Sequence, residues 1–416
     1  MTLALQGLDE IRADQENFYR DLHAHPELSH QESRTAAEVA ARLRAAGCEV
    51  HTGVGGTGVV GVLQRGDGPG VLLRADMDAL PVREETGLDY ASSVTATGAD
   101  GNATPVMHAC GHDMHVACLV GAVELLSRAG EWCGRLVAVF QPGEEVADGA
   151  RRMVDDGLAG IVGKVDVALC QHVLAFPAGL VGTRSGPTLS AADSMRITVH
   201  GRGAHGSMPQ ASVDPVVLAA MIVVRLQTII ARETRPGEPA VLTVGSIQAG
   251  TKSNVIPDTA TILLNLRTYD YDEDTRHAIL TAVKRIVVAE CDASRSPRPP
   301  EFELFDQYPM TDNDPVVTER VAAAFAEHFG DGAGELPLQT ASEDFSVIPR
   351  ALGIPYTYWG IGGTDPELYR QAEVEGRIAD DVPVNHSSKF APLLQPTLDA
   401  GTAALTVAAR AFLGTA

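Results

Sequence analysis

The chain has 416 residues, 45% of them apolar, which is enough to bury a large core and to form two or more domains. A net charge of −22, spread along the chain and not gathered in a tail, argues against a nucleic-acid partner, since phosphate binding needs a basic surface. The longest apolar run, Val216 to Val224, is too short to cross a bilayer and ends at Arg225, so no membrane association is expected.

In chain order, Leu8 to Gly47 alternates apolar and charged residues at helical spacing, and Pro26 in HAHPELS breaks the helix. The short runs GVVGVLQ, GVLLRADMD, RLVAVFQ and KVDVALCQH, bounded by glycine or charge, read as strands. DMHVACLVGAVELLSRAG reads as a helix ending at Gly130. This alternation predicts an α/β domain with a mixed, mostly parallel sheet. Asp76, Cys110, Glu144 and His172 fall at or just past the ends of such runs, the edge where open α/β sheets hold ligands.

From about Ser190 the pattern becomes strand, helix, strand, strand, helix, strand: SMRITVHG, DPVVLAAMIVVRLQTIIARE, AVLTVGSIQAG, TATILLNLRT, YDEDTRHAILTAVKRIVVAE and EFELFDQY. That order predicts a ferredoxin-like α+β unit. It is read as an insertion over 189–306 between catalytic segments 1–188 and 307–416, with Gly186-Pro187 and Pro297–Pro300 near its edges. Helical pattern resumes at DPVVTERVAAAFAEHF and closes the chain from Ala391 to Leu413.

GVGGTG, Gly53 to Gly58, matches the dinucleotide-binding pattern, but a strand-like VVGVLQ follows it where a helix should start, so a glycine-rich turn is expected. His23 and His25 in HAHPEL could pair on a metal, yet they sit beside a proline break where packing or capping is the commoner role. The stronger pattern is collective. Asp76 and Asp78, Cys110 and His112, Glu144 and Glu145, His172 and His386 supply oxygen, sulfur and nitrogen donors of the kind that zinc or manganese takes. Cys110 is then a thiolate between two divalent cations, the metals replacing its proton. Consecutive glutamates in extended backbone point opposite ways, so one can ligate while the other acts as general base. Six cysteines without a CxxC pair, and an N-terminal stretch Met1–Gln15 without a basic start and apolar core, fit a reducing cytoplasm.

At these residues the chain closely resembles the dinuclear metallopeptidase family of aminoacylases, carboxypeptidases and amidohydrolases. Its branch is that of hippurate hydrolases, auxin-conjugate hydrolases and N-acyl-glutamine aminoacylases. HAHPELS, RADMDALP, MHACGHDMH, QPGEE, GRGAHGSMP, SNVIPDTATILLNLRT, SEDF and NHSSKF occur in family order over nearly the whole chain. The resemblance implies that Cys110 bridges two metals, that Glu145 and His386 complete one, and that His112 and His172 complete the other. It makes Glu144 the base and leaves Asp76 and Asp78 outside the ligand set. Where the branch usually ends QPGEE with glycine, Val146 and Ala147 restrict the loop. The inserted unit resembles the family's lid and dimerisation domain, with His205 and Asn254 as oxyanion donors and Arg267 as a holder of a substrate carboxylate.

The expectation is a cytoplasmic, metal-dependent amidohydrolase that cleaves N-acyl amino acids to a carboxylic acid and an amino acid. Two divalent ions are expected, zinc or manganese, with cobalt or nickel also compatible. The partners expected are the small-molecule N-acyl amino acid and a second copy bound through the lid domain, a tetramer being the other option. A lid hinge is expected near Gly186 and Pro297–Pro300. The alternatives are a dipeptidase or carboxypeptidase of the same family, a thiol-redox metal protein, and a nucleotide-cofactor protein using GVGGTG.

Overall fold

A computed structural model of the chain describes residues 5–98, 101–269 and 274–415. The start of the helix expected over 271–290 lies outside these residues, and its described part runs Asp274–Ala293. Contacts divide the chain into two units, one of Met1–Thr188, Asp312–Leu338 and Asp344–Ala416, the other of Leu189–Thr311 and Gln339–Glu343. The chain leaves the second unit after Thr311, so Pro297–Pro300 lies inside it and does not mark its edge. The short visit of Gln339–Glu343 to the second unit has no counterpart in the sequence pattern.

The first unit opens with α1 (Leu8–Ala24) and α2 (Ser33–Ala45), separated by the expected break at Pro26. Buried Leu8, Ile11, Gln15, Phe18 and Leu22 recur every three or four residues of α1 and, with Tyr19, make its inner stripe. Strands β1 (Glu49–Val54) and β2 (Gly58–Arg65) pair antiparallel across GVGGTG, which is therefore a turn. Then come β3 (Gly70–Asp76), α3 (His112–Arg128), β4 (Trp132–Gln141), β5 (Val167–Pro177) and β6 (Val181–Thr183). Helix α3 is buried on nearly every face, as its unbroken apolar composition requires. It ends at Arg128, where Ala129 is already extended, so Gly130 is not its cap.

In the second unit, β7 (Ala191–His200), α4 (Pro215–Thr228), β8 (Ala240–Ala249), β9 (Thr259–Thr268), α5 (Asp274–Ala293) and β10 (Glu301–Tyr308) follow the expected order. Its sheet runs β8-β9-β7-β10, entirely antiparallel, which is the ferredoxin-like arrangement. Residues along β9 alternate between buried and half-buried, so one face meets the helices. There Ile197, Ile262 and Leu264 pack with Leu218, Ile222, Leu226, Val283 and Ile286 in a core of their own. The helical stretch Pro215–Glu233 is long and apolar enough to cross a membrane by length and composition, and a third of it is buried. Its inward residues belong to this core.

The chain returns to the first unit with α6 (Pro315–Phe329), β11 (Ala333–Glu335), β12 (Tyr356–Thr364), α7 (Leu394–Phe412) and β13 (Gly414–Thr415). Among the described residues the first unit's sheet has the order β1-β2-β4-β3-β5-β12-β6-β11, with β13 beside β4. The central β4, β3, β5 and β12 are parallel and the flanking pairs are mostly antiparallel. Register does the positioning. Asp76 pairs with Gln141 and Arg74 with Cys170, so the loops after β3 and β4 emerge level with His172 on β5.

Candidate metal centre

The turn before α3 brings the first donors to this edge. Gly111 has φ +81, and a Cβ there would lie 2.4 Å from Val173 Cγ1, so both backbone and space require glycine. His112 therefore starts the helix with its ring held from behind, its Nδ1 donating to the Asp78 carbonyl at 2.8 Å. A carbonyl only accepts, so Nε2 of the neutral ring keeps its lone pair. Among the described residues that buried Nε2 has no hydrogen-bond partner. His172 is arranged likewise: Nδ1 donates to the Val173 carbonyl at 2.8 Å, and Nε2 faces Cys110 Sγ at 3.5 Å. Metal-binding histidines are held in this way, one ring nitrogen donating to protein and the other left for the ion.

The QPGEE loop enters from β4. Gly143, at φ +58, packs its Cα against the His30 ring and donates its N–H to Glu32 at 2.9 Å. The Glu145 N–H donates to Asp78 Oδ2 at 3.0 Å. Glu144–Val146 forms a 3-10 turn, closed by Ala147 at φ +58, a strained conformation for a residue other than glycine. The two glutamates are therefore not in extended backbone, and they do not point opposite ways. Both offer a carboxylate oxygen, and these lie with a His112 nitrogen in a group spanning at most 4.8 Å. Glu144 is buried and Glu145 partly exposed. The difference between them is one of position in the turn.

Cys110, Glu145 and His386 form a second group within 4.8 Å. His386 Nε2 stands 3.4 Å from Glu145 Oε1, which makes no hydrogen bond of its own among the described residues. The backbone of His386 donates to the Ala109 carbonyl at 2.7 Å and takes φ +71, so NHSS is bent onto the cysteine turn. Asn385 Nδ2 reinforces the join by donating to the carbonyls of Cys110 and Val173. Burial and the Glu145 charge push the Cys110 thiol up, so a thiolate here needs a cation beside it. The neighbouring Cys110 and Glu145 raise His386 to about 10. Burial opposes charge on His112, but Asp76 and Cys110 raise it well above its ordinary value. Burial and His115 hold His172 well below its own.

His115 was not singled out by the sequence, although it stands one turn from His112 on α3. It joins Asp76, His112 and His172 in a group within 4.8 Å. Asp78, left open by the sequence, accepts from Ser29 Oγ at 2.7 Å as well as from Glu145, and so braces the glutamate loop. His23 is buried and paired with Asp113 at 2.6 Å and Glu84 at 3.1 Å, whereas His25 is exposed and bonds the Asp21 carbonyl. Neither belongs to the donor groups.

The remaining candidates lie in the second unit. His205 pairs with Val255, and Gly206 donates to the Asn254 carbonyl at 2.8 Å, so His205 and Asn254 are brought together. The Ser207 N–H donates to His205 Nδ1 at 3.1 Å, which leaves the proton of the neutral ring on the exposed Nε2. Arg267 is otherwise engaged: Nη1 donates to the Thr340 carbonyl and Ser342 Oγ, and Nε to Asn265.

Comparison with known proteins adds to this geometry. Residues 72–379 match the model of peptidase family M20/M25/M40. Thermostable carboxypeptidase 1 of Saccharolobus solfataricus is 37% identical over 89% of this chain and 88% of its own length. The hippurate hydrolase of Campylobacter jejuni is 35% identical over 84% and 88%. The solved Bacillus subtilis YXEP protein, described as a dinuclear metal binding peptidase, superimposes with a TM-score of 0.75 at 28% identity, covering 97% and 99%. The chain belongs to the M20/M25/M40 peptidase family and is a hydrolase of amide bonds.

Proposed function

We propose that this protein is a metal-dependent amidohydrolase that splits N-acyl amino acids into a carboxylic acid and an amino acid. The observation that carries this reading is the convergence of unpartnered donors beside a buried glutamate. Among the described residues His112 Nε2 and Glu145 Oε1 lack hydrogen bonds in a buried polar site, and Cys110, His172 and His386 complete the surround. Thiol, imidazole and carboxylate together suit zinc or manganese, and also cobalt or nickel. In this reading Glu145 and His386 would hold one ion and His112 and His172 the other, with the Cys110 thiol available to both. Such ions supply Lewis acidity toward a carbonyl oxygen and lower the pKa of water. Glu144 carries no ligand duty in this assignment. It accepts a proton from the attacking water and passes it to the leaving amine. His205, through Nε2–H, and Asn254 are proposed donors to the developing oxyanion. Arg267 is the weaker candidate for a substrate carboxylate, since segment 339–343 already takes its Nη1.

The assembly proposed is a homodimer through the second unit. There Val216, Val217, Met221 and Val224 on α4 are 45–67% exposed, and β8 is an open sheet edge. A cytoplasmic location is proposed because all six cysteines are free. A second reading, carboxypeptidase or dipeptidase, is favoured by the Saccharolobus relative. Metal-reconstituted protein should be offered a panel of N-acyl amino acids and dipeptides, with released amine as the readout. Turnover of the acyl conjugates is expected. Cleavage of dipeptides alone would transfer the assignment to the second reading, and no cleavage of either would sink both.

A further inference from the structure

Four side chains at the sheet edge, Asp76, His112, His115 and His172, lie close enough to hold an ion together. Their hydrogen bonds divide them. The Val173 N–H donates to His115 Nε2 at 2.8 Å, so that nitrogen bears no proton and the neutral ring carries it on Nδ1. His115 Nδ1 donates to Asp76 Oδ1 at 2.6 Å, and Arg74 Nη1 donates to Asp76 Oδ2 at 2.7 Å. Arg74 in turn donates through Nε to Gln141 Oε1 at 2.9 Å and through Nη2 to Asp344 Oδ1 at 3.3 Å. Asp344 also accepts from Gln141 Nε2 and from the Ala150 N–H. Both oxygens of Asp76 and both nitrogens of His115 are thus committed inside the protein. An ion that took either residue would leave the Val173 N–H or the Arg74 guanidinium short of a buried partner.

We propose that Asp76 and His115 are positioning residues: the buried chain Asp344–Arg74–Asp76–His115 grips the backbone of Val173 through its N–H and thereby fixes which nitrogen of His172 faces Cys110. The same residue carries the argument across its Cα. In the next peptide group the Val173 carbonyl accepts from His172 Nδ1 and from Asn385 Nδ2 at 3.1 Å. With the N–H held by His115, the carbonyl is aimed at His172, and His172 Nε2 is left as a lone pair toward the thiol. The buried aspartate of SEDF acquires a task here as well, as the far anchor of the chain. This inference rests on the reading of the site as a two-metal centre.

The test compares cobalt binding by wild type, His115→Phe, His115→Gln, Asp76→Asn and His172→Ala, using competition with a chromogenic chelator and the thiolate-to-cobalt absorption. Wild type should take two equivalents. His115→Phe should weaken one of them by about 10–100-fold while the thiolate band survives. His115→Gln, whose side-chain amide oxygen can still accept from Val173, should recover most of that loss. Asp76→Asn, which keeps an acceptor toward His115, should lose less than His115→Phe and serves if the phenylalanine variant does not fold. Unchanged affinities in His115→Phe and Asp76→Asn would overturn the inference. So would loss of an equivalent in either variant as complete as in His172→Ala, since that makes the residue a ligand. Failure of wild type to bind cobalt would instead overturn the two-metal reading itself.

Discussion

Two buried clusters of histidine and carboxylate lie near the start of α3, and they differ in one respect. Around His23 every strong group is answered from within: Asp113 takes one nitrogen, Glu84 the other, and Glu84 also accepts from Thr86 and the Ser92 N–H. Around His112 the bonds run out, with Nε2 and the neighbouring Glu145 Oε1 left without hydrogen-bond partners among the described residues. Burial opposes charge on His23, yet its two carboxylates raise it to about 10, so the first cluster carries its own cation as an imidazolium. The second keeps donor atoms without a protein partner among the described residues, where an ion from outside can bind. Buried polar atoms are nearly always satisfied in folded proteins, so the unsatisfied cluster marks function and the satisfied one marks architecture.

The sharpest way to test that contrast is through the glutamate beside the open donors. Glu144→Gln should lower turnover by about 10²–10⁴-fold while both metals remain bound, measured by rate and by elemental analysis on the same sample. Normal turnover would remove Glu144 from the base role. His23→Phe attacks the closed cluster instead, leaving Asp113 and Glu84 buried without their cation. It should cost about 3–5 kcal/mol of stability in denaturant unfolding. Metal content of whatever protein stays folded should be little changed. A third variant, His205→Ala, removes the exposed Nε2–H and should lower kcat by about 10²–10³-fold with metal binding unaffected.

The smallest effect expected is in pH dependence, and the sign differs between two buried histidines. His23 is raised from 6.5 to about 10, so its contribution is full below pH 6.5 and is lost as pH climbs through 10. His108, whose ring nitrogens have no hydrogen-bond partner among the described residues, is lowered by burial from 6.5 to about 4. Its contribution is present above pH 6.5 and is lost as pH falls through 4. Thermal melts across this range should show the gap between wild type and His23→Phe narrowing toward pH 10. A gap independent of pH would contradict the imidazolium.

The pattern of apolar runs was enough to anticipate the α/β unit, the ferredoxin-like insertion and the turn at GVGGTG, because periodicity and glycine placement are local signals. The donor residues were legible by type and order. Their roles were less so, because a ring nitrogen's task depends on what meets its other side. His115 receives the N–H of Val173, a residue 58 positions away, and nothing near either one announces it. The glutamate pair misled for a different reason. Extended backbone would set the two side chains on opposite sides, whereas Gly143 and Ala147 at positive φ curl the pair into a 3-10 turn. Pro297–Pro300 looked like an edge because prolines interrupt elements wherever they fall, including just before β10.

The brief return of Gln339–Glu343 bears on how the molecule can be cut. Tyr269 Oη donates to the Gln339 carbonyl at 2.6 Å, the Ser190 N–H donates to the Ala341 carbonyl at 2.9 Å, and Arg267 grips Thr340 and Ser342. A fragment cloned as 189–311 would omit five residues that its own side chains are built to hold. Splicing Thr188 to Asp312 would strand the same five in the remainder. Neither unit is a clean excision product, and a domain-swap or truncation that treats the insertion as one continuous cassette should yield material that is poorly soluble.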